Sequence, residues 1–159
     1  MTRPSGAIWQ AGHKALRKGR TSISGEIYLV TATTSGREPL FSEFRIACAV
    51  AQCFETKLAL GENQLLAWVL MPDHAHWLLQ LGIDERLETS VGRLKAISSR
   101  CLNKIHGRRG ARWASAFHDH ALRTEEELLP TARYIVANPI RAGIVKRAGD
   151  YPFWNAVWL

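Results

Sequence analysis

Two histidines two residues apart, in Met71-Pro72-Asp73-His74-Ala75-His76, stand immediately before the apolar run Trp77-Leu78-Leu79. Successive side chains of a strand point to opposite faces, so His74 and His76 would project from one face while Ala75, Trp77 and Leu79 project from the other. Two imidazoles aimed at one point can share a divalent cation. A chain with six histidines also places two of them this way by chance, one being a hydrogen-bonded core residue, so the motif needs its context. Further along, Tyr134 and Asn138 are four residues apart and share a face of any helix there. A phenol and an amide oxygen beside such an ion suit phosphodiester cleavage or transesterification. The ion draws charge from the scissile phosphate, Tyr134 attacks in line with the leaving oxygen, and Asn138 is a third ligand. The competing reading is a packing tyrosine with a tethered hydroxyl, followed by an ordinary Asn-Pro helix stop.

A second cluster, His118-Asp119-His120, would put the two histidines on one strand face and the aspartate on the other. It would support the site or orient a phosphate, or else be a polar strand end in solvent. Leu78 occupies the place of a third alternating histidine, which argues against a three-histidine nucleotide-hydrolase arrangement, and HExxH, GxxxxGK[ST] and GxSxG do not occur. Zinc held by His74, His76 and a cysteine is a minor option, because no spacing singles out Cys48, Cys53 or Cys101.

The charge balance points to a polyanionic partner. Twenty-one Lys and Arg face fourteen Asp and Glu, a net charge of +7. Between Glu88 and Asp119 there is no acidic residue, while Arg93, Lys95, Arg100, Lys104, Arg108, Arg109 and Arg112 all fall there. Lys14, Arg17, Lys18 and Arg20 precede the first acidic residue, Glu26. These are two candidate phosphate-contacting surfaces, or alternatively a solvated helix face and a flexible arm.

At 159 residues and 47% hydrophobic content the chain can bury one core. The expected organisation is a basic arm over 1–22 and a single domain over 23–159. Three cysteines are an odd number for a disulfide framework and fit a reducing cytoplasm. The N-terminal stretch lacks signal-peptide character, and the longest apolar run, Leu65 to Met71, is too short to cross a bilayer, so a soluble protein with no membrane role is expected.

These side chains must be positioned by mixed elements. Glu26 to Thr34 is β-branched and aromatic and reads as a strand closed by Ser35-Gly36. Ser42 reads as the N-cap of a helix to about Leu60, with Ile46, Val50, Cys53 and Phe54 inside and Gly61 as its stop. Leu65 to Met71, a turn at Pro72-Asp73 and His74 to Leu81 form a hairpin. Val91, Leu94, Ile97, Cys101 and Ile105 recur at helical spacing, with Arg93, Lys95, Arg100 and Lys104 on the other faces. Gly107 and Gly110 end that helix before an extended segment from Trp113 to Leu122. Thr124 to Glu127 fits a capping box for a helix to Ala137, in which Pro130 either makes a kink or marks where the regular part begins. Strand, helix, hairpin, helix, with one more edge strand possible, suits an α+β ferredoxin-like sandwich. Its antiparallel sheet would have the histidine strand at its centre, helices mainly on one face, and the last helix across that strand.

Met71 to His76, Trp113, Phe117-His-Asp-His-Ala-Leu-Arg123 and Arg133-Tyr-Ile-Val-Ala-Asn-Pro-Ile-Arg-Ala-Gly-Ile-Val145 together resemble the REP-associated tyrosine transposases, relatives of single-tyrosine insertion-sequence transposases. The resemblance extends to His13-Lys-Ala-Leu-Arg-Lys-Gly-Arg20 and Ile27-Tyr-Leu-Val-Thr31, covering about 11–159. It implies that His74 and His76 are the HUH histidines that bind Mg²⁺ or Mn²⁺. It implies further that Tyr134 attacks single-stranded DNA to leave a 5′-phosphotyrosine and a free 3′-OH, which can reverse the attack without ATP. Asn138 falls at a polar position one turn after the tyrosine. The implied substrate is a REP-type hairpin with a flanking tetranucleotide, contacted by the basic residues above and by His118, His120 and Arg123. The implied state is a monomer acting in cis, with a dimer that exchanges its tyrosine helices, as in the broader insertion-sequence relatives, as the alternative; the implied location is the cytoplasm at the nucleoid. The alternatives are a catalytically inactive regulator occupying REP hairpins and a metal-dependent RNA phosphodiesterase in which Tyr134 is structural. Two departures stand out: Ala75 is small for the residue between the histidines, and Ala114 stands where many relatives have Gln.

Overall fold

The computed structural model describes residues 22–159. Five strands, β1 (Ile27–Thr33), β2 (Gln64–Met71), β3 (His74–Gln80), β4 (His118–Ala121) and β5 (Trp154–Ala156), form one antiparallel sheet in the order β4-β1-β3-β2-β5. Three longer helices, α1 (Phe44–Phe54), α3 (Leu87–His106) and α4 (Leu128–Val136), and two short ones, α2 (Lys57–Leu60) and α5 (Asn138–Arg141), surround it. The α+β ferredoxin-like architecture is present, β3 is its central strand, and the possible edge strand is β5.

Register explains which side chains meet. His76 stands opposite Thr31 on β1 and Val69 on β2, whereas Trp77 stands opposite Val30 and Trp68. The Trp77 face carries α1 and α3, which pack against each other. There the Phe54 ring meets Trp68 at 5.4 Å and Trp77 at 5.3 Å edge-on, and Trp113 sits 5.6 Å from Trp77. On the histidine face α4 contacts β2 and β3. Helices on both faces explain why β2 is apolar along almost its whole length and buried from Leu66 to Met71.

Several local expectations give way to the tertiary structure. The helix expected from Ser42 to Leu60 is broken: Leu40–Ser42 is a 3₁₀ turn, Glu43 precedes α1, and Thr56 caps α2 by accepting the Ala59 N–H at 3.2 Å. Gly61 does end this region at φ 60°, and a Cβ there would come within 2.6 Å of the Arg93 guanidinium. Thr124 makes no side-chain cap; instead the Glu127 carboxylate accepts the Arg123 N–H at 3.0 Å beside a 3₁₀ turn over Glu125–Glu127. Pro130 is the third residue of α4, where a missing N–H costs no intrahelical bond, so the helix starts near it rather than kinking. Asn138-Pro139 is not a full stop, since Asn138–Arg141 continues as the helical turn α5. Ile105 is 43% exposed, because the core beneath α3 ends at Leu102. Against the expectation of a chain without a disulfide framework, Cys53 and Cys101 are paired in a disulfide across α1 and α3, with Cys48 free. No helix among the described residues is long and apolar enough to cross a membrane.

Candidate active site

Strand alternation puts His74 and His76 on one face of β3, with ring centroids 5.0 Å apart. Each ring is held at Nδ1. The Asp73 carboxylate lies 2.8 Å from Nδ1 of His74, and the Thr31 hydroxyl lies 2.8 Å from Nδ1 of His76. That turns Nε2 of each ring away from its anchor, an orientation that metal-binding histidines use. Asp73 is itself held by Arg37 at 3.4 Å. Arg37 adopts φ 56°, a left-handed conformation that costs a non-glycine residue about 1–2 kcal/mol.

Burial lowers the pKa of His74; Asp73 opposes the shift and Arg37 adds to it. Burial also takes His76 well below the ordinary value of 6.5, helped by the charges of His74 and Arg141 and opposed by a hydrogen bond with Asn138. Both rings are therefore neutral near pH 7, the form that ligates.

The tyrosine comes from the helix across this face. The Tyr134 ring centroid is 6.4 Å from that of His76, and the side chain is half-buried. One turn on, Pro139 brings no N–H to the carbonyl of Ile135. The Asn138 amide nitrogen reaches that carbonyl at 3.3 Å and the carbonyl of Tyr134 at 3.4 Å. With its nitrogen turned to the helix, the amide presents its oxygen toward His76, with which it hydrogen-bonds. The described residues contain no group of three or more His, Cys, Asp or Glu able to hold a metal ion. The site offers two neutral imidazoles and one amide oxygen. Such a mixed N/O set with open positions fits Mn²⁺ or Mg²⁺. A cysteine-completed zinc set does not form, because Cys48, Cys53 and Cys101 lie on α1 and α3, beyond the sheet.

The second histidine cluster joins the same face. His118 pairs with Thr31 across β4 and β1, and Thr31 pairs with His76, so all three lie in one row. His120 is one row along, opposite Leu29, and Asp119 faces the other way, opposite Val30.

The basic residues divide. Arg93 bonds both Glu85 oxygens at 2.9 Å and the Leu60 carbonyl at 3.0 Å, tying α3 to the turn after α2. Lys95 donates to the carbonyls of Ala114 and Ala116 at 2.8 and 3.0 Å. Arg112 is 8% exposed and donates to Asn103 at 3.0 Å. Arg100, Lys104, Arg108, Arg109 and Arg123 are exposed. Arg100 lines a cleft of about 480 Å³ between α3 and residues 110–115, which Ala114 also lines. Lys14, Arg17, Lys18 and Arg20 lie outside the described residues. Sequence spacing did not single out Thr31, Asp73 or Arg37, whose roles depend on strand pairing. It also passed over Arg141, although its position seven residues after Tyr134 was a readable helical signal.

A ferredoxin-like sheet with a histidine pair on its central strand and a tyrosine helix across it defines a class. The family model described as "Transposase IS200 like" matches residues 22–138, and the chain belongs to that family. The curated relatives it matches carry the name REP-associated tyrosine transposase. One, from Escherichia coli (strain K12), is 31% identical over 93 residues, 57% of this chain and 52% of that protein. A Haemophilus influenzae relative is 28% identical over 100 residues, 57% of each chain. The chain thus spans about half the length of the curated relatives it matches. A solved REP-associated tyrosine transposase bound to a REP hairpin shares the fold, with TM-score 0.65 and 22% identity over 85% of this chain and 79% of that one.

Proposed function

We propose that this chain cleaves and rejoins single-stranded DNA at REP-type hairpins with a flanking tetranucleotide, through a 5′-phosphotyrosine on Tyr134. The reading is carried by one juxtaposition: a tyrosine on α4 facing a pair of neutral, Nδ1-anchored histidines on β3. A family neighbour bound to a REP hairpin supports the substrate class. His74, His76 and Asn138 would hold Mg²⁺ or Mn²⁺. When bound, that ion supplies Lewis-acid stabilisation of charge at the scissile phosphate.

Tyr134 loses its phenolic proton to solvent as its oxygen bonds to phosphorus. The bond from phosphorus to the 3′ oxygen breaks, and that oxygen takes up a proton to become a free 3′-OH. Reversal by a 3′-OH releases the tyrosine and restores a phosphodiester, so no other energy source is consumed. A free phenol titrates near pH 10, so a nearby positive charge favours the attacking form. Thr31 and Asp73 fix the two rings, and Asn138 ties the turn after the tyrosine to His76. The exposed arginines Arg100, Arg108 and Arg109 would follow the backbone of the DNA, with affinity falling as salt rises.

The test is incubation of the full chain with an end-labelled single-stranded REP hairpin bearing its flank, with Mn²⁺ or EDTA, beside Tyr134→Phe. The expected result is a metal-dependent covalent adduct on the 3′ fragment that Tyr134→Phe does not form. Hairpin binding with no adduct across several sequences would refute it in favour of a non-catalytic regulator.

A further inference from the structure

Arg141 stands out among the cations of the site. It lies seven residues beyond Tyr134, two helical turns, and the nearly continuous path from α4 through Ala137 into α5 keeps both on one face. Its guanidinium carbon is 3.7 Å from the centroid of the Tyr134 ring. That is well inside the roughly 6 Å within which a cation and an aromatic face attract. Its charge is also felt at His76, so it belongs to the site and not only to the helix surface.

Arg37, the arginine beside the histidine pair, is engaged by Asp73, while Arg133 of α4 is exposed one residue before Tyr134. Arg141 is exposed, and among the described residues its guanidinium has no carboxylate partner and donates no hydrogen bond. A guanidinium placed over a ring face can keep its N–H donors directed outward from that face. What it lacks is an oxyanion, and the edge of a guanidinium matches two oxygens of a phosphate.

Resting on the reading of Tyr134 as nucleophile, we propose that Arg141 clamps the tyrosine ring beside the histidine pair and binds a non-bridging oxygen of the phosphate under attack. The diester arrives with one negative charge, and attack by the phenolate oxygen concentrates further charge around phosphorus. A donor fork already held by the ring meets that charge without losing the side-chain freedom an unrestrained arginine would lose. Arg141 makes and breaks no covalent bond and keeps its proton throughout. Lysine at this position would keep the charge but lose both the stacking and the paired donors.

The experiment has two readouts on the full chain. The first is single-turnover adduct formation on the REP hairpin by Arg141→Gln and Arg141→Lys. Removing one preorganised donor costs on the order of 10²-fold in rate. We expect that loss at saturating DNA in both variants, with half-saturating DNA moved less than about threefold. The loss should shrink on a substrate with a methylphosphonate at the scissile position, because the oxygen that Arg141 would bind is then absent. Unchanged rates, a loss confined to half-saturation, or an equal loss on the methylphosphonate would overturn the proposal.

The second readout needs no catalysis. The Arg141 side-chain NMR resonances should be displaced by the ring current in wild type, relax in Tyr134→Leu, and move on titration with dimethyl phosphate. Resonances that do neither overturn the proposal whatever the cleavage assay gives. Wild-type protein that forms no adduct, yet shows both NMR effects, would refute the nuclease reading and leave the anion clamp standing.

Discussion

Replacing Thr31 with valine isolates the hydrogen bond that orients His76. The two side chains have nearly the same shape, and valine is at least as compatible with a strand, so neither a cavity nor a loss of β propensity contributes. What disappears is the hydroxyl 2.8 Å from Nδ1 of a histidine that is only 5% exposed. Water has little access to the orphaned ring nitrogen. Losing the bond and stranding the buried group costs about 1–3 kcal/mol. For a chain of this size each kcal/mol lowers Tm by roughly 2–4 °C, so Thr31→Val should melt on the order of 2–12 °C below wild type in EDTA. If His76 is a metal ligand, loss of this outer partner also weakens Mn²⁺ by about 10–100-fold. The upward shift of Tm on adding Mn²⁺ should shrink accordingly. Differential scanning calorimetry in EDTA and across a Mn²⁺ titration reads both effects. A variant that melts within a degree of wild type in EDTA would refute the account of His76 orientation. A normal Mn²⁺ response in a destabilised variant would refute its account as a ligand.

Glu85 carries a pH dependence. Burial opposes its ionisation, but the Glu62 N–H, the Arg93 guanidinium and the Ser90 hydroxyl outweigh that and lower its pKa below 4.5. A depressed folded pKa means the stabilisation is present above the unfolded value and is lost as pH falls through the folded one. Wild type should therefore lose stability faster than Glu85→Gln on acidification below pH 4.5, and parallel urea midpoints in both proteins would refute this. Phe54→Ala removes a fully buried ring from between Trp68 and Trp77 and should cost about 3–5 kcal/mol by urea denaturation. Arg100→Gln with Arg109→Gln should reduce the salt slope of hairpin binding by roughly 1.4, at about 0.7 for each phosphate contact on a single strand. Arg93→Gln should instead lower Tm and leave that slope unchanged, a contrast that filter binding at several salt concentrations and a melting curve would check.

Much of the fold follows from local periodicity. Alternation along β3 is enough to put His74 and His76 on one face with Trp77 on the other, and helical spacing is enough to align Tyr134 with Asn138. The succession of strand, helix and hairpin is enough to indicate the ferredoxin-like sheet. Where competing local signals existed, the neighbours decided: Thr56 capped a separate short helix, and the Glu127 carboxylate accepted the Arg123 N–H while Thr124 made no side-chain cap.

The charge pattern was legible only as a pattern. Spacing could not separate Arg93 and Lys95, which hold the fold together, from Arg100 and Arg109, which face solvent. The difference arises from which carboxylates and carbonyls arrive from elsewhere in the chain. The same holds for the pairing of Cys53 with Cys101 and for the row His118, Thr31, His76. The sequence by itself therefore determined the candidate nucleophile, the histidine pair and the class of sheet, because 2- and 3.6-residue repeats are properties of short segments. Only the tertiary structure decided that Thr31 and Asp73 anchor the rings, that α4 covers their face and that Arg141 stacks on the tyrosine. Those contacts depend on strand register and helix docking, which many distant residues set together.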